Sequence, residues 1–105
     1  MPASANARSA FVPNPAGTVT VATTTTSGTT RVAIVGSGRN LVITNAGTGV
    51  AFIELGASSV TALVATSMPV LSGEVLCLGR GEVTHIAAIT ATGTATVYVT
   101  SGDGD

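Results

Sequence analysis

From Thr18 onward the chain alternates aliphatic and hydroxyl side chains, and glycine-rich breaks interrupt the alternation at intervals of roughly ten residues. Val19 and Val21 alternate with Thr18 and Thr20. Leu41 and Ile43 alternate with Asn40, Val42 and Thr44, and Val97 and Val99 with Thr96, Tyr98 and Thr100. Val32 and Ile34 follow Arg31 in the same rhythm. A period of two puts one set of side chains on a wet face and the other on a buried face of a β-strand. A helix would need a 3.6-residue period, and no window of twelve residues shows one convincingly. The 18 threonines and 14 valines point the same way, because β-branched side chains are stiff and suit a pleated surface.

The breaks are Ser27-Gly28, Gly36-Ser37-Gly38, Asn45 to Gly49, Gly56-Ala57-Ser58, Pro69 to Gly73, Gly79-Arg80-Gly81 and Thr92-Gly93. Glycine and asparagine there tolerate the positive φ of tight turns. The strands expected between them are 18–25, 30–35, 40–45, 50–55, 59–64, 74–79, 83–90 and 94–100. A helical turn over Ser59–Ala65, with Val60, Leu63 and Val64 on one side, is set aside because Val60, Thr61 and Val64 are β-branched. The fold expected is all-β, an antiparallel β-sandwich or jelly-roll-like barrel of about eight short strands. Pro2, Pro13, Pro15 and Gly17 make residues 1–17 an extended N-terminal arm, since proline is excluded from central strands. Residues 18–101 form the sandwich and 102–105 a short acidic tail, in which Asp103 and Asp105 are expected to be solvated.

Charge limits the function classes. Only 9% of the residues are charged, against roughly 25% in an average domain. The net charge is −1 and the four basic residues are all arginine, so no basic stripe is available for nucleic acid. Aromatics for base stacking are scarce as well: Phe11, Phe52 and Tyr98. The uncharged stretches Ser9–Thr30, Leu55–Gly73 and Val83–Gly102 are rich in Thr, Ser and Gly and read as β-structure rather than membrane spans. The chain is also short for an outer-membrane barrel. Cys77 is the sole cysteine, which excludes an intrachain disulfide. Met1 to Phe11 lacks the basic and apolar regions of a secretory signal.

Catalytic and cofactor motifs fare poorly. Gly36-Ser37-Gly38 lacks the third glycine of a dinucleotide fingerprint, position 41 being Leu, and reads as a hairpin turn. His85 shares a strand face with Val83, Ala87 and Ile89 and is the candidate subunit-interface residue. Cys77 and His85 together would be the parts of a nucleophile–base pair on adjacent strands, without a third orienting group. Glu74 and Glu82 flank Arg80 and are expected to pair with it locally. No metal ligand cluster and no cofactor are expected. One threonine run, Thr23–Thr26, does not make the matched rows that a sugar- or ice-binding surface needs. In the arm, Arg8, Phe11, Val12 and Pro13 are the candidate contacts to a partner.

Two segments carry a likeness. Residues 83–104, VTHIAAITATGTATVYVTSGDG, resemble the C-terminal end of small structural proteins of tailed bacteriophages. Residues 40–56, NLVITNAGTGVAFIELG, are similar to their middle hairpin. The resemblance implies a capsid decoration or head accessory protein, a small β-sandwich that forms homo-oligomers, with trimers favoured. It would be made in the host cytoplasm and reside in the virion. Its partner would be the major capsid protein or another virion protein, bound on the outer capsid surface, with no enzymatic activity and no nucleic-acid or membrane partner. A neck, tail or fibre-anchoring component is the alternative within the virion. A carbohydrate-binding module is the alternative outside it, with Tyr98 and Phe52 as its candidate aromatics.

Overall fold

The computed structural model describes residues 11–25 and 31–104, and among these every regular element is a strand. In chain order they are β1 (Val12–Thr23), β2 (Arg31–Ala33), β3 (Asn40–Asn45), β4 (Ala51–Gly56), β5 (Met68–Val70), β6 (Val75–Gly79), β7 (His85–Thr90) and β8 (Ala95–Asp103). They form two antiparallel four-stranded sheets, one ordered β1-β8-β3-β6 and the other β2-β7-β4-β5. Strands pair as β1 with β8, β2 with β7, β3 with β6, and β4 with β5. That is one long antiparallel ribbon doubled back at the β4–β5 connection. Rolling the ribbon adds the β3–β8 and β4–β7 pairings, and the result is jelly-roll wiring.

The alternation read from the sequence sets which side faces in. Val21, Leu41, Ile43, Val97 and Val99 from one sheet meet Ala51, Ile53, Val70, Ile86 and Ala88 from the other in a single core. The intervening Thr and Tyr side chains of β1, β3 and β8 point to the outer face of their sheet.

The wiring changes the reading of the turns. Every consecutive connection except β4–β5 carries the chain from one sheet to the other. Gly36-Ser37-Gly38 is therefore a corner between β2 and β3, not a hairpin. Asn45 to Gly49 is likewise a corner, and residues 40–56 do not form one. Asn45 is fully buried and holds that corner: its Nδ2 donates to Gly49 O at 2.8 Å and Val70 O at 2.9 Å, and its Oδ1 accepts from Gly47 N at 2.9 Å.

Three boundaries move. Residues 59–64 are not a strand; the strand of that region is β5, a few residues later. One helical turn forms instead, with Ser67 N bonded to Leu63 O at 2.9 Å. The sheet begins at Val12 rather than Thr18, because Val12 pairs with Asp103 and Pro13 with Gly102. Proline is tolerated because β1 is an edge strand, and the register shifts between Pro13 and Thr18, where Ala16 adopts φ 54°. At the other terminus Gly102 and Asp103 belong to β8 rather than to a free tail, and Asp103 Oδ1 accepts from Arg39 N at 3.0 Å.

Candidate functional site

The two outer faces of the sandwich are treated differently by the chain. Over the β2-β7-β4-β5 sheet lies the segment 57–67. Its Ala62 and Val60 pack on Ala87, Ile89 and Phe52 in a second small apolar cluster. Arg31 Nε donates to Val60 O at 2.8 Å, and Ser67 Oγ donates to Glu54 Oε1 at 2.7 Å. Ser67 Oγ also accepts from Leu63 N at 2.9 Å, which closes the turn on itself. That sheet is covered by its own chain.

Among the described residues the β1-β8-β3-β6 sheet has no such cover, and its outer face is touched only where the Phe11 ring lies over Gly102 and where Cys77 Sγ donates to Gly104 O at 3.7 Å. The register lines its outer side chains in rows: Thr18, Thr100, Val42, Cys77 in one, and Thr20, Tyr98, Thr44, Val75 in the next. Ala22 sits beside Thr96, and Asn40 beside Gly79. None of these side chains is charged. Thr18 Oγ1 and Thr100 Oγ1 are 2.7 Å apart, so neighbouring hydroxyls satisfy each other across the strands. Tyr98, 41% exposed, stands between Thr20 and Thr44. This neutral, hydroxyl-rich face is the candidate interaction surface. The sequence shows one threonine run but not these rows, because the rows join residues up to 82 positions apart. The run itself is not wholly solvated: Thr23 is buried, and its Oγ1 accepts from Ala95 N at 2.9 Å.

Phe11, Val12 and Pro13 sit at one end of this same sheet. The Phe11 ring lies over Gly102, so close that a Cβ at Gly102 would meet it at 2.7 Å. Val12 remains 65% exposed and Pro13 is exposed. Asn14 then bonds through Nδ2 to Ser37 O and, at 2.9 Å, to the buried Ser101 Oγ. Arg8 lies outside the described residues.

His85 opens β7, between Ala33 and Gly56 of the flanking strands, and is half-buried. Its Nδ1 lies 2.8 Å from Thr84 Oγ1. It shares its face with Ala87 and Ile89, which the 57–67 segment covers. Cys77 is exposed on β6, in the other sheet, so the adjacency expected for a Cys77–His85 pair does not form. Glu74 and Arg80 stand at opposite ends of β6 and make no local pair. Glu74 Oε1 accepts from Leu71 N at 2.8 Å, and Arg80 Nη1 donates to Gly36 O at 2.8 Å. Arg80 and Glu82 line a shallow hollow with Gly36-Ser37-Gly38, of about 260 Å³.

A larger cleft of about 400 Å³ opens at the margin where β5 and β6, the edges of the two sheets, face each other. Ile53, Leu55, Met68 and Leu78 line it, with Glu54 and Thr66. Among the described residues no three His, Cys, Asp or Glu side chains gather as a metal site would require, and no helix is long and apolar enough to cross a membrane. The sequence matches no protein-family model and no curated protein.

Proposed function

We propose that the chain is a non-enzymatic structural protein of a tailed-phage virion, a decoration protein that oligomerises and docks on the outer capsid surface. The observation that carries this reading is the bare, uncharged outer face of the β1-β8-β3-β6 sheet. A face of neutral side chains is suited to burial against another protein, because no charge must be desolvated when water leaves. Jelly-roll sandwiches recur in virion and lectin domains, which is an argument by analogy of fold only. The likeness of residues 40–56 and 83–104 to phage structural proteins supports the same assignment, and with it a homo-oligomer, trimers favoured.

The contact is assigned to the sheet face together with Phe11, Val12 and Pro13 at its end, with Arg8 as a further arm contact. Removing residues 1–15 is a poor test, because Phe11 to Asn14 are built into the sheet. Removing residues 1–10 leaves every described contact in place and isolates the arm. Quantitative mass spectrometry of purified particles tests the reading. Decoration requires on the order of hundreds of copies, as a symmetric shell repeats its sites. A handful to a few dozen copies would move the protein to the neck, tail or a fibre anchor. None would sink the virion assignment.

One observation favours a second reading. Tyr98 stands exposed among hydroxyls, an arrangement that also suits stacking on a sugar ring. A glycan array in which Tyr98→Ala removes a specific signal would favour a carbohydrate-binding module over capsid docking.

A further inference from the structure

Among the described residues, four strand edges bound the two sheets, and three of them are guarded. β1 carries Pro13, Pro15 and an irregular register. β2 is three residues long and carries Arg31. β5 is three residues long and contains Pro69. Short edges, prolines, bulges and charges are the devices that prevent one sheet from pairing with another. β6 has none of them. Its five residues, VLCLG, are uncharged and regular.

The register says which groups this edge offers. Arg80 N bonds to Arg39 O and Asn45 N to Glu74 O, so the hydrogen-bonded pairs with β3 are Leu41–Leu78 and Ile43–Leu76. The N–H and C=O groups of Val75, Cys77 and Gly79 therefore point away from β3, toward the open edge. Cys77 is the middle residue of the strand.

We propose that β6 pairs antiparallel with β6 of a second copy of this chain, around a two-fold axis at Cys77. With Cys77 opposite its own counterpart, Val75 faces Gly79 of the other copy, and all the outward N–H and C=O groups of these three residues find partners. The same register sets Leu76 opposite Leu78 on the inner side, where both are half-buried. Leu78 lines the marginal cleft with Met68, Ile53 and Leu55, so the second copy's leucines extend the core into it. One step beyond the strand on each side, Glu74 falls opposite Arg80 in register, placing an acid across the axis from a base, while each also bonds within its own copy, Glu74 to Leu71 N and Arg80 to Gly36 O. The pairing is self-complementary in hydrogen bonds, in apolar contact and in charge, as a two-fold interface must be. A five-residue strand edge alone is small beside the roughly 1,000 Å² a stable interface needs. The leucines and the cleft add to it, and the expected dimer is concentration-dependent. It joins the two outer faces into one continuous eight-stranded surface.

This inference keeps the homo-oligomer proposed above but replaces its trimer with a two-fold dimer, and it stands without the virion assignment. The test is sedimentation equilibrium of the full chain in reducing buffer, over a wide concentration range. Wild type and Cys77→Ser should show the same monomer–dimer equilibrium, which excludes a disulfide as its cause. Cys77→Pro removes an outward donor that β3 does not use, and should weaken the dimer at least about tenfold. Cys77→Lys, should the proline variant fail to fold, puts like charges face to face at the axis and should weaken it similarly. Thermal melts of the variants establish that the monomer is intact. A wild type that stays monomeric, a wild-type trimer, or a dimer unchanged in a folded Cys77→Pro or Cys77→Lys variant would each overturn the proposal. Absence of the protein from virions would sink the capsid reading and leave this one untouched.

Discussion

Asn45 shows how much one side chain does in a fold with few charges. It ends β3, is fully buried, and makes three side-chain hydrogen bonds to backbone groups of the β3–β4 corner and of β5. The bond to Val70 O is buried, and those to Gly49 O and Gly47 N are part-buried. Asn45→Ala should therefore cost about 2–3 kcal/mol, the penalty of leaving buried partners unpaired rather than the worth of one bond. Chemical denaturation measures it; a loss below about 0.5 kcal/mol would show that water replaces the amide. The sequence marked this position as a turn residue, because Asn precedes Ala-Gly. It did not mark it as a pin, because its acceptors Gly49 and Val70 are brought together only by the corner. Gly102 is similar. As the first residue of a Gly-Asp-Gly-Asp run it reads as a tail, yet it is the floor under the Phe11 ring.

At the scale of elements, strand interiors were legible and connections were not. Alternation and turn spacing locate β3, β4 and β7 within a residue or two, and alternation assigns the inward faces of β3 and β8, although β8 runs three residues past its expected end. It failed at 59–64, where Val60 and Ala62 are buried for another reason: they cover the outside of a sheet, not its inside. A segment packed on an outer face contributes apolar residues with no strand period. The structure predicts that this cover is a separable unit. Ser67→Ala removes the bond to Glu54 and the acceptor for Leu63 N, at a cost of about 1–2 kcal/mol. Hydrogen exchange should speed up at Leu63 and at Ser67 while β3 and β8 stay protected. Equal acceleration in β3 and β8 would mean the cover and the sandwich open together. The candidate face was half-legible. Its Thr side chains were assigned to a wet side, but their assembly into rows depends on β1 meeting β8 across nearly the whole chain.

For the whole molecule, the ribbon wiring makes the earliest strand wait for the last. β1 pairs with β8 and β2 with β7, so most pairings close long loops before they gain contacts. Folding should be slow for a chain of this size, in about the millisecond-to-second range typical of non-local β-topologies. Stopped-flow refolding checks this; a microsecond phase carrying the full amplitude would contradict it. No arrangement of turn signals reveals such wiring, because a corner between sheets and a hairpin within one use the same Asn and Gly residues. The low charge content, which first reads as a solubility problem, has a place in the finished molecule. Among the described residues, one outer face is covered by the 57–67 segment, and the other is largely open, neutral and hydroxylated. That the bare face is a docking surface is the central claim, and electron cryomicroscopy of intact particles at side-chain resolution tests it most directly. The expected result is a jelly roll on the shell with the β1-β8-β3-β6 face, Tyr98 at its centre, buried against virion protein. A shell-bound copy with that face in solvent would contradict it.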